Sequence, residues 1–402
     1  MVHEAAAPAG SVGYRLTRHR SRCGLSRIEL ATRAELDPAL ILDVEQGRIP
    51  ASAGFTGAVA RALGVEVDVL YGQPYGPALT DPAADHAPVP ALRAALDSDD
   101  DPPPASPALS VAQLRTRLDT AEQDRGAARY RQLGAALPEL LHHGHVLAAR
   151  AHPGDQAQTA AALLADAYLL ARTVAYRFGY LDLAALANHR ARQAADRSAD
   201  PLRVAVAAGQ RALLRLHRGD YFGVLLLTER THHQITDQTH PAADAVRVAL
   251  HLREALAYAR LGNADQAEGH LTRARKLIGR GIPASPYYTV TATEATVDIH
   301  TVAVPLELGD PTTALSRADQ IKIPTGKEPA RLGRYWIDLA RAATLAGDPT
   351  QALDALHQAR VIAPQLTRYH PQARETLHLL AEHDRRAPDT LAGFARWAHI
   401  TH

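Results

Sequence analysis

A chain with one cysteine cannot be held together by disulfides, and Cys23 is the only one among these 402 residues. It cannot build a cysteine-rich zinc centre either. Aromatic residues make up only 5%, while Ala, Leu and Arg abound, a mixture that favours helices. A dominant charge is missing too: the net charge is +1, so bulk charge gives no attraction to polyanions. No stretch is long and uncharged enough to span a membrane. The N-terminus lacks the basic segment and apolar run of a signal peptide. A cytoplasmic protein with no membrane association is expected. Catalytic frames are also lacking. Thr325-Gly326-Lys327 lacks the rest of a P-loop, and Gly-x-Ser-x-Gly, His-Glu-x-x-His and Gly-x-Gly-x-x-Gly are missing. No catalytic residue and no cofactor are assigned.

What is present begins at Gly24-Leu25-Ser26-Arg27-Ile28-Glu29-Leu30-Ala31. Gly24 breaks an arginine-rich helix over Val12–Arg22. Ser26 caps the next helix, and Glu29, three residues on, completes a capping box. Ile28, Leu30 and Ala31 are expected to turn inward. After a tight turn, Asp37 caps a second helix with Pro38 in its first position, where a missing N–H costs nothing. Ile41 and Val44 repeat at helical spacing, and Gly47 ends the helix. Two short helices joined by a tight turn form a helix-turn-helix. Further helices are expected over Gly54–Leu63 and Glu66–Tyr71.

Gly24-Leu25-Ser26, Glu29-Leu30-Ala31, Leu36, Ile41, Glu45-x-Gly47, Ala60-x-Ala62-Leu63-Gly64-Val65 and Leu70 resemble the Cro/repressor-type (Xre) helix-turn-helix domain over about Val12 to Gly72. That resemblance implies double-stranded DNA as partner and a homodimer, with the second motif helix in the major groove. It places Pro38, Ala39, Leu40, Leu42 and Asp43 at the base edges. Of these, only the Asp43 side chain can hydrogen-bond, as an acceptor from cytosine. Arg15, Arg18, Arg22 and Arg27 would grip phosphate, and Ser26 and Arg48 flank the same face. Arg20 and Glu45 are expected to pair across the domain.

Residues 73–110 change character. Prolines crowd the stretch, and one Arg faces six Asp. This reads as an acidic, semi-rigid linker.

From Val111 the pattern is helical throughout, and it repeats. Trp336, Leu339-Ala340, Ala343, Gly347, Ala352, Leu356, Ala359 and Pro364 resemble the tetratricopeptide (TPR) pattern. His251, Ala255, Tyr258, Gly262, Ala267, Leu271 and Ala274 repeat it. Gly179, Gly219, Gly262, Gly309 and Gly347 mark five turns. The phrases Leu137-Pro138-Glu139-Leu140-Leu141 and Val304-Pro305-Leu306-Glu307-Leu308-Gly309-Asp310 resemble the helical-repeat half found behind Xre-type domains in actinobacterial regulators. The expected fold is all-α: residues 1–72 a five-helix head, 73–110 a linker, and 111–402 an α-solenoid of TPR-like hairpins. A kinked helix 126–151, a helix 371–387 and a last helix over Pro388–Ile400 would flank the array. Trp336 is expected to be buried.

In TPR arrays the first helix of each hairpin lines the concave groove. Carrying that register across places Asp166, Thr173, Tyr176, Arg177, His217, Arg260, Arg334 and Arg341 there, a set suited to a peptide, a small-molecule anion or a protein partner. His142-His143-x-His145 and His232-His233 lack residues nearby in sequence that would complete a ligand set, so no metal site is expected. The functional reading is a transcriptional regulator that binds DNA and senses a ligand. Two others stay open: an enzyme evolved on a regulator frame, and a scaffold whose helix-turn-helix no longer reads DNA.

Overall fold

The structure, a computed structural model, describes residues 7–75, 83–98, 109–321, 328–383 and Phe394. Among them every regular element is a helix. The helices of the head are α1 (Val12–Arg22), α2 (Arg27–Ala34), α3 (Pro38–Glu45), α4 (Ala53–Leu63) and α5 (Val67–Tyr71). Their ends follow from local chemistry. The Ser26 hydroxyl accepts the Glu29 N–H while the Glu29 carboxylate accepts the Ser26 N–H. Asp37 accepts the Ala39 N–H, with Pro38 in the first turn. Leu16, Leu30, Ile41, Val59 and Leu70 close one core. Ile28 does not join it. It stands in the first turn of α2 on the outer face, 67% exposed.

Glu45, at the end of α3, is buried and binds two arginines. Arg20 reaches it through Nε at 2.6 Å and Nη2 at 3.0 Å, and Arg27 through Nε at 2.6 Å. One carboxylate therefore ties α1, α2 and α3 together.

Two further helices, α6 (Ala83–His86) and α7 (Val89–Asp97), lie inside the stretch read as a linker. Leu92 and Leu96 of α7 are fully buried, packed against α9 (Tyr130–Arg150) and α11 (Leu181–Arg197). A nine-residue amphipathic helix is hidden there by the proline and aspartate around it. Before α9 comes α8 (Val111–Gly126), and Pro138 falls inside α9.

Five antiparallel hairpins follow. They are α10 (Asp155–Arg177) with α11, α12 (Pro201–His217) with α13 (Tyr221–Gln234), and α14 (Ala243–Arg260) with α15 (Ala264–Ile278). Then come α16 (Glu294–Glu307) with α17 (Pro311–Asp319), and α18 (Pro329–Leu345) with α19 (Pro349–Ile362). Each turn carries a glycine at positive φ, from +75° at Gly262 to +84° at Gly179 and Gly309, the left-handed conformation that ends a helix. After four of these glycines an Asp or Asn caps the second helix. Consecutive helices pack in sequence order, and the first helices α10, α12, α14, α16 and α18 also touch their neighbours side by side, a repeat-like arrangement. Buried alanines, such as Ala184, Ala255 and Ala343, let paired helices approach.

Trp336 is only half-buried. Its neighbour Tyr335 is buried at 3% exposure, while Leu339, Ala340 and Ala343 of the same helix are buried as the pattern expects. After α20 (Pro364–Tyr369), α21 (Pro371–His383) closes the described array. The helix expected over Pro388–Ile400 lies outside the described residues apart from Phe394, which is buried against His357 and Arg360.

The head rests on the array. The Val12 N–H donates to both oxygens of Glu375 on α21, at 3.0 and 3.2 Å. Gln372 donates to the Tyr71 hydroxyl at 3.0 Å, and Arg61 of α4 donates to the Gly219 carbonyl. Arg218 pairs with Glu66 at 3.6 Å.

Candidate functional site

Two places combine accessible surface with chemistry. The first is the outer face of α2 and α3. Pro38 and Ala39 are exposed, and Leu40, Leu42 and Asp43 are partly so. Arg20, Ser26, Arg27, Ile28, Pro38, Ala39 and Leu42 line a shallow recess there. Its walls are mostly carbon, which suits a thymine methyl better than a hydrogen-bonding base edge. Asp43 is held by Arg48 at 3.2 Å, so its carboxylate already has a cation. Arg18 and Arg22 are exposed, Arg18 lying over the Tyr14 ring at 5.7 Å.

Arg15 and Arg27 stand differently from their sequence reading. Arg15 turns inward and donates to the carbonyls of Gly10, Leu70 and Tyr71 at 2.6, 3.4 and 3.1 Å. It finishes the C-terminal end of α5, whose last carbonyls lack helical partners. Arg27 is bound to Glu45 and keeps a third of its side chain exposed.

The second place is a cavity of about 230 Å³ on the inner face of the array. Each first helix of the five hairpins contributes to its wall: Tyr176 and Arg177 of α10, His217 of α12, Arg260 of α14, His300 of α16, and Arg334 with Asp338 of α18. His370 and Gln372 follow from the start of α21. The head supplies Ala53 and Tyr71, and Gln73 follows directly after it, so both halves of the chain enclose the same space.

Five residues of the expected groove meet here: Tyr176, Arg177, His217, Arg260 and Arg334. Three do not line it. Arg341 is buried two turns further along α18, bound to Glu307 at 3.0 Å and Asp338 at 3.2 Å. Asp166 is buried against Arg203, and burial pushes its carboxyl up to about 6 against the pull of that guanidinium. The Thr173 hydroxyl is spent on the Leu169 carbonyl, one turn back.

Charge in the cavity is mostly positive. Arg334 grips Asp338 through two bonds, at 2.8 and 2.9 Å, and donates to His370 Nε2 at 2.7 Å. Arg260 donates to Glu307 at 2.9 Å. Burial opposes the Glu307 charge, but Arg260, Arg341 and Arg334 hold its carboxyl down at about 2. Three arginines thus share two carboxylates. Arg177 has no ion pair among the described residues, and its guanidinium lies over the rings of Tyr176 and Tyr130 at 5.6 and 5.9 Å. Arg172, just behind, is buried without a carboxylate partner among the described residues, and burial lowers its guanidinium to about 9. The imidazoles respond to the same field. Burial, reinforced by Arg260, Arg218 and Arg172, takes His217 down to about 3. Burial takes His300 down to about 4. His370 falls well below its ordinary value through burial and Arg334.

Three buried nitrogens on this wall have no hydrogen-bond partner among the described residues: Arg177 Nε, His217 Nε2 and His370 Nδ1. Because His370 Nε2 accepts from Arg334, its Nδ1 carries the proton and is a free donor. Such groups are costly to leave unpaired. His370 and His300 carry no motif spacing that would reveal them in the sequence.

Residues 11–70 match the family described as a helix-turn-helix domain. The head is a helix-turn-helix domain. That match supports a DNA-binding regulator. It covers the head alone. No curated protein matches the chain. Among solved structures, the crystal structure of BtubC (BKLC) from P. vanneervenii is 17% identical, covering 64% of this chain and 94% of that one, with a TM-score of 0.34. Among the described residues no helix is long and apolar enough to cross a membrane.

Proposed function

We propose that the chain is a cytoplasmic Xre-type transcriptional regulator whose TPR-like array senses a small anion and whose head binds operator DNA as a homodimer. The observation that carries this reading is the shared cavity: a molecule bound there touches Tyr71 of the head and Gln73 directly after it, as well as Arg177 and Arg334 of the array. A ligand can bias the head only through contacts that differ between two arrangements, and a cavity closed by the head supplies such contacts. The excess of arginine, with unpaired donors at Arg177 and His370, favours a carboxylate or phosphate. Closure by the head favours a compact molecule over an extended peptide. The dimer follows from geometry, since one short helix reads too few bases alone.

Duplex binding by the full chain tests the reading, with its own promoter region and random sequence compared at rising salt. Affinity should fall steeply with salt, and discrimination should be modest, because the recess at Pro38, Ala39 and Leu42 is apolar. No binding to either duplex at low salt would overturn it. Citrate and inorganic phosphate, added to the full chain, probe the cavity.

A further inference from the structure

We propose that His232, His251, Glu254 and His270 form a site for one divalent transition-metal ion, best matched to Zn²⁺. The proposal is independent of the DNA-binding reading. His232 lies in the last turn of α13, His251 and Glu254 stand three residues apart on α14, and His270 is on α15. The ligand atoms of His232, His251 and Glu254 lie within 4.8 Å of one another, and His270 borders Glu254 and His251 from α15. His251 Nδ1 and His270 Nδ1 each lie 2.8 Å from Glu254 Oε2, and His232 Nε2 lies 3.3 Å from the same oxygen. The two Nδ1 atoms are 3.2 Å apart. Around a tetrahedral zinc with bonds of about 2.0–2.1 Å, neighbouring ligand atoms stand about 3.3 Å from one another. The separations of 3.3 and 3.2 Å match that spacing, while the two of 2.8 Å are hydrogen-bond lengths that must open for an ion to enter.

Hydrogen bonding alone explains the cluster poorly. Three imidazoles point at a single carboxylate oxygen, and two of them also point at each other. Three N–H groups on one oxygen would crowd their protons together, whereas a cation satisfies lone pairs that face a common space. The donor set also selects the ion. Three imidazole nitrogens and one carboxylate oxygen suit Zn²⁺, while Mg²⁺ and Ca²⁺ prefer all-oxygen shells. Glu254 is buried, and the rings of His232, His251 and His270 are 23%, 16% and 12% exposed, so an ion can reach them. His232 stacks on His251 at 4.5 Å and Tyr258 stacks on His270 at 5.3 Å, which fixes the ring orientations.

An ion here would pin the second hairpin to the third. Their first helices, α12 and α14, carry His217 and Arg260 of the cavity. The site is invisible to motif reading because 19 residues separate His232 from His251 and 16 separate Glu254 from His270.

The test uses the full chain, stripped with chelator and titrated with Zn²⁺ by calorimetry and with Co²⁺ by visible absorption. One equivalent of Zn²⁺ should bind, and Co²⁺ should give the intense visible bands of a tetrahedral ion. His232→Ala changes a partly exposed ring and should leave the helical circular-dichroism signal intact. It should weaken binding more than tenfold, since loss of an outer-shell partner alone costs about 10- to 100-fold. His251→Ala combined with His270→Ala should abolish the tight site. His142→Ala should change nothing, which separates the site from weak binding by the other histidines. Equal affinity in wild type and His232→Ala, or a Co²⁺ spectrum typical of six-coordination, would overturn the proposal.

Discussion

Gly57 of α4 and Gly219 of the α12–α13 turn meet backbone to backbone. A Cβ built on Gly57 would stand 2.9 Å from the Gly219 Cα and 3.0 Å from the Tyr221 hydroxyl. No side chain fits between head and array at this point. Gly219 cannot retreat readily, since its φ of +76° is already set by the turn.

Gly57→Ala should therefore loosen the docked head without unfolding it. Within α4 the substitution alone is favourable by about 1 kcal/mol, because alanine is the better helix former. Any destabilisation must come from the clash with Gly219. Limited proteolysis should cut the Gln73–Asp97 region faster in the variant, while the circular-dichroism signal is retained. An unchanged cleavage rate would show that the close approach contributes nothing.

The triad at Glu45 predicts a different effect. Glu45→Ala removes the buried carboxylate that holds Arg20 and Arg27 and leaves Arg20 with a poorly solvated charge. Breaking such a pair costs about 3–5 kcal/mol. Arg27→Ala should cost under about 1 kcal/mol, since a third of that side chain is exposed and Arg20 remains in place. Urea unfolding of both variants checks the order.

How much of this was legible in the sequence depended on the range of the interaction. Ser26 with Glu29, and Asp37 with Pro38, act within one turn, and their caps stand where the spacing put them. The five turn glycines are equally local. Arg15, Arg27 and Ile28 could not be placed from the sequence because each faced several partners, and only the assembled domain decides among them. Arg15 found the free carbonyls of α5, Arg27 found Glu45, and Ile28 was left outside a core already filled by Leu30 and Ala31. Helical register brought Tyr176, Arg177, His217, Arg260 and Arg334 to one cavity, since stacking first helices align one face. It could not reveal Tyr71 or His370, which arrive from other elements. Leu92 and Leu96 recur at helical spacing inside 73–110, but the prolines and aspartates around their short helix gave that stretch the composition of a linker.

Titration where the head meets the array gives a pH prediction. Burial pushes the Glu375 carboxyl up to about 7, against the Val12 N–H, Arg15 and Arg374. The unfolded chain loses this proton near 4.5. Between those values the folded state binds more protons, so this group's contribution to stability falls as pH rises, by about 3 kcal/mol across the window. His217, His300 and His370 act in the opposite sense. Their folded values are depressed, so their contribution is complete above about 6.5 and is lost as pH falls. The informative quantity is the difference between wild type and Glu375→Gln. In urea unfolding the variant should gain on wild type steadily from pH 5 to pH 7 and then level off.

On the proposed DNA-binding reading, Arg18 and Arg22 are the α1 arginines left free to meet phosphate. Both are exposed on α1, while Arg15 is occupied with the carbonyls of Leu70 and Tyr71. Alanine at Arg18 or Arg22 should reduce the salt slope of duplex binding by about 0.9 for each phosphate that is no longer neutralised. Arg15→Ala should instead lower the melting temperature of the free protein. A reduced salt slope without thermal destabilisation in Arg15→Ala would return that residue to the interface.

Arg177 offers the cleanest test of the cavity. Arg334 and Arg260 are built into the network with Asp338 and Glu307, so replacing either disturbs the array itself. Arg177 lies on two tyrosine rings with no carboxylate partner among the described residues. Arg177→Met keeps the apolar stem over those rings and removes the charge. Without ligand the variant should be at least as stable as wild type, because a positive charge leaves a crowded field of Arg172 and Arg334. With citrate or inorganic phosphate, the thermal stabilisation seen in wild type should shrink by most of its size. The same anion should alter duplex affinity in wild type, and by linkage DNA should alter anion affinity by the same factor. If the anion stabilises wild type and Arg177→Met equally, it binds elsewhere. If it binds the cavity and leaves DNA affinity unchanged, the closure by Tyr71 and Gln73 does not couple the two halves of the chain.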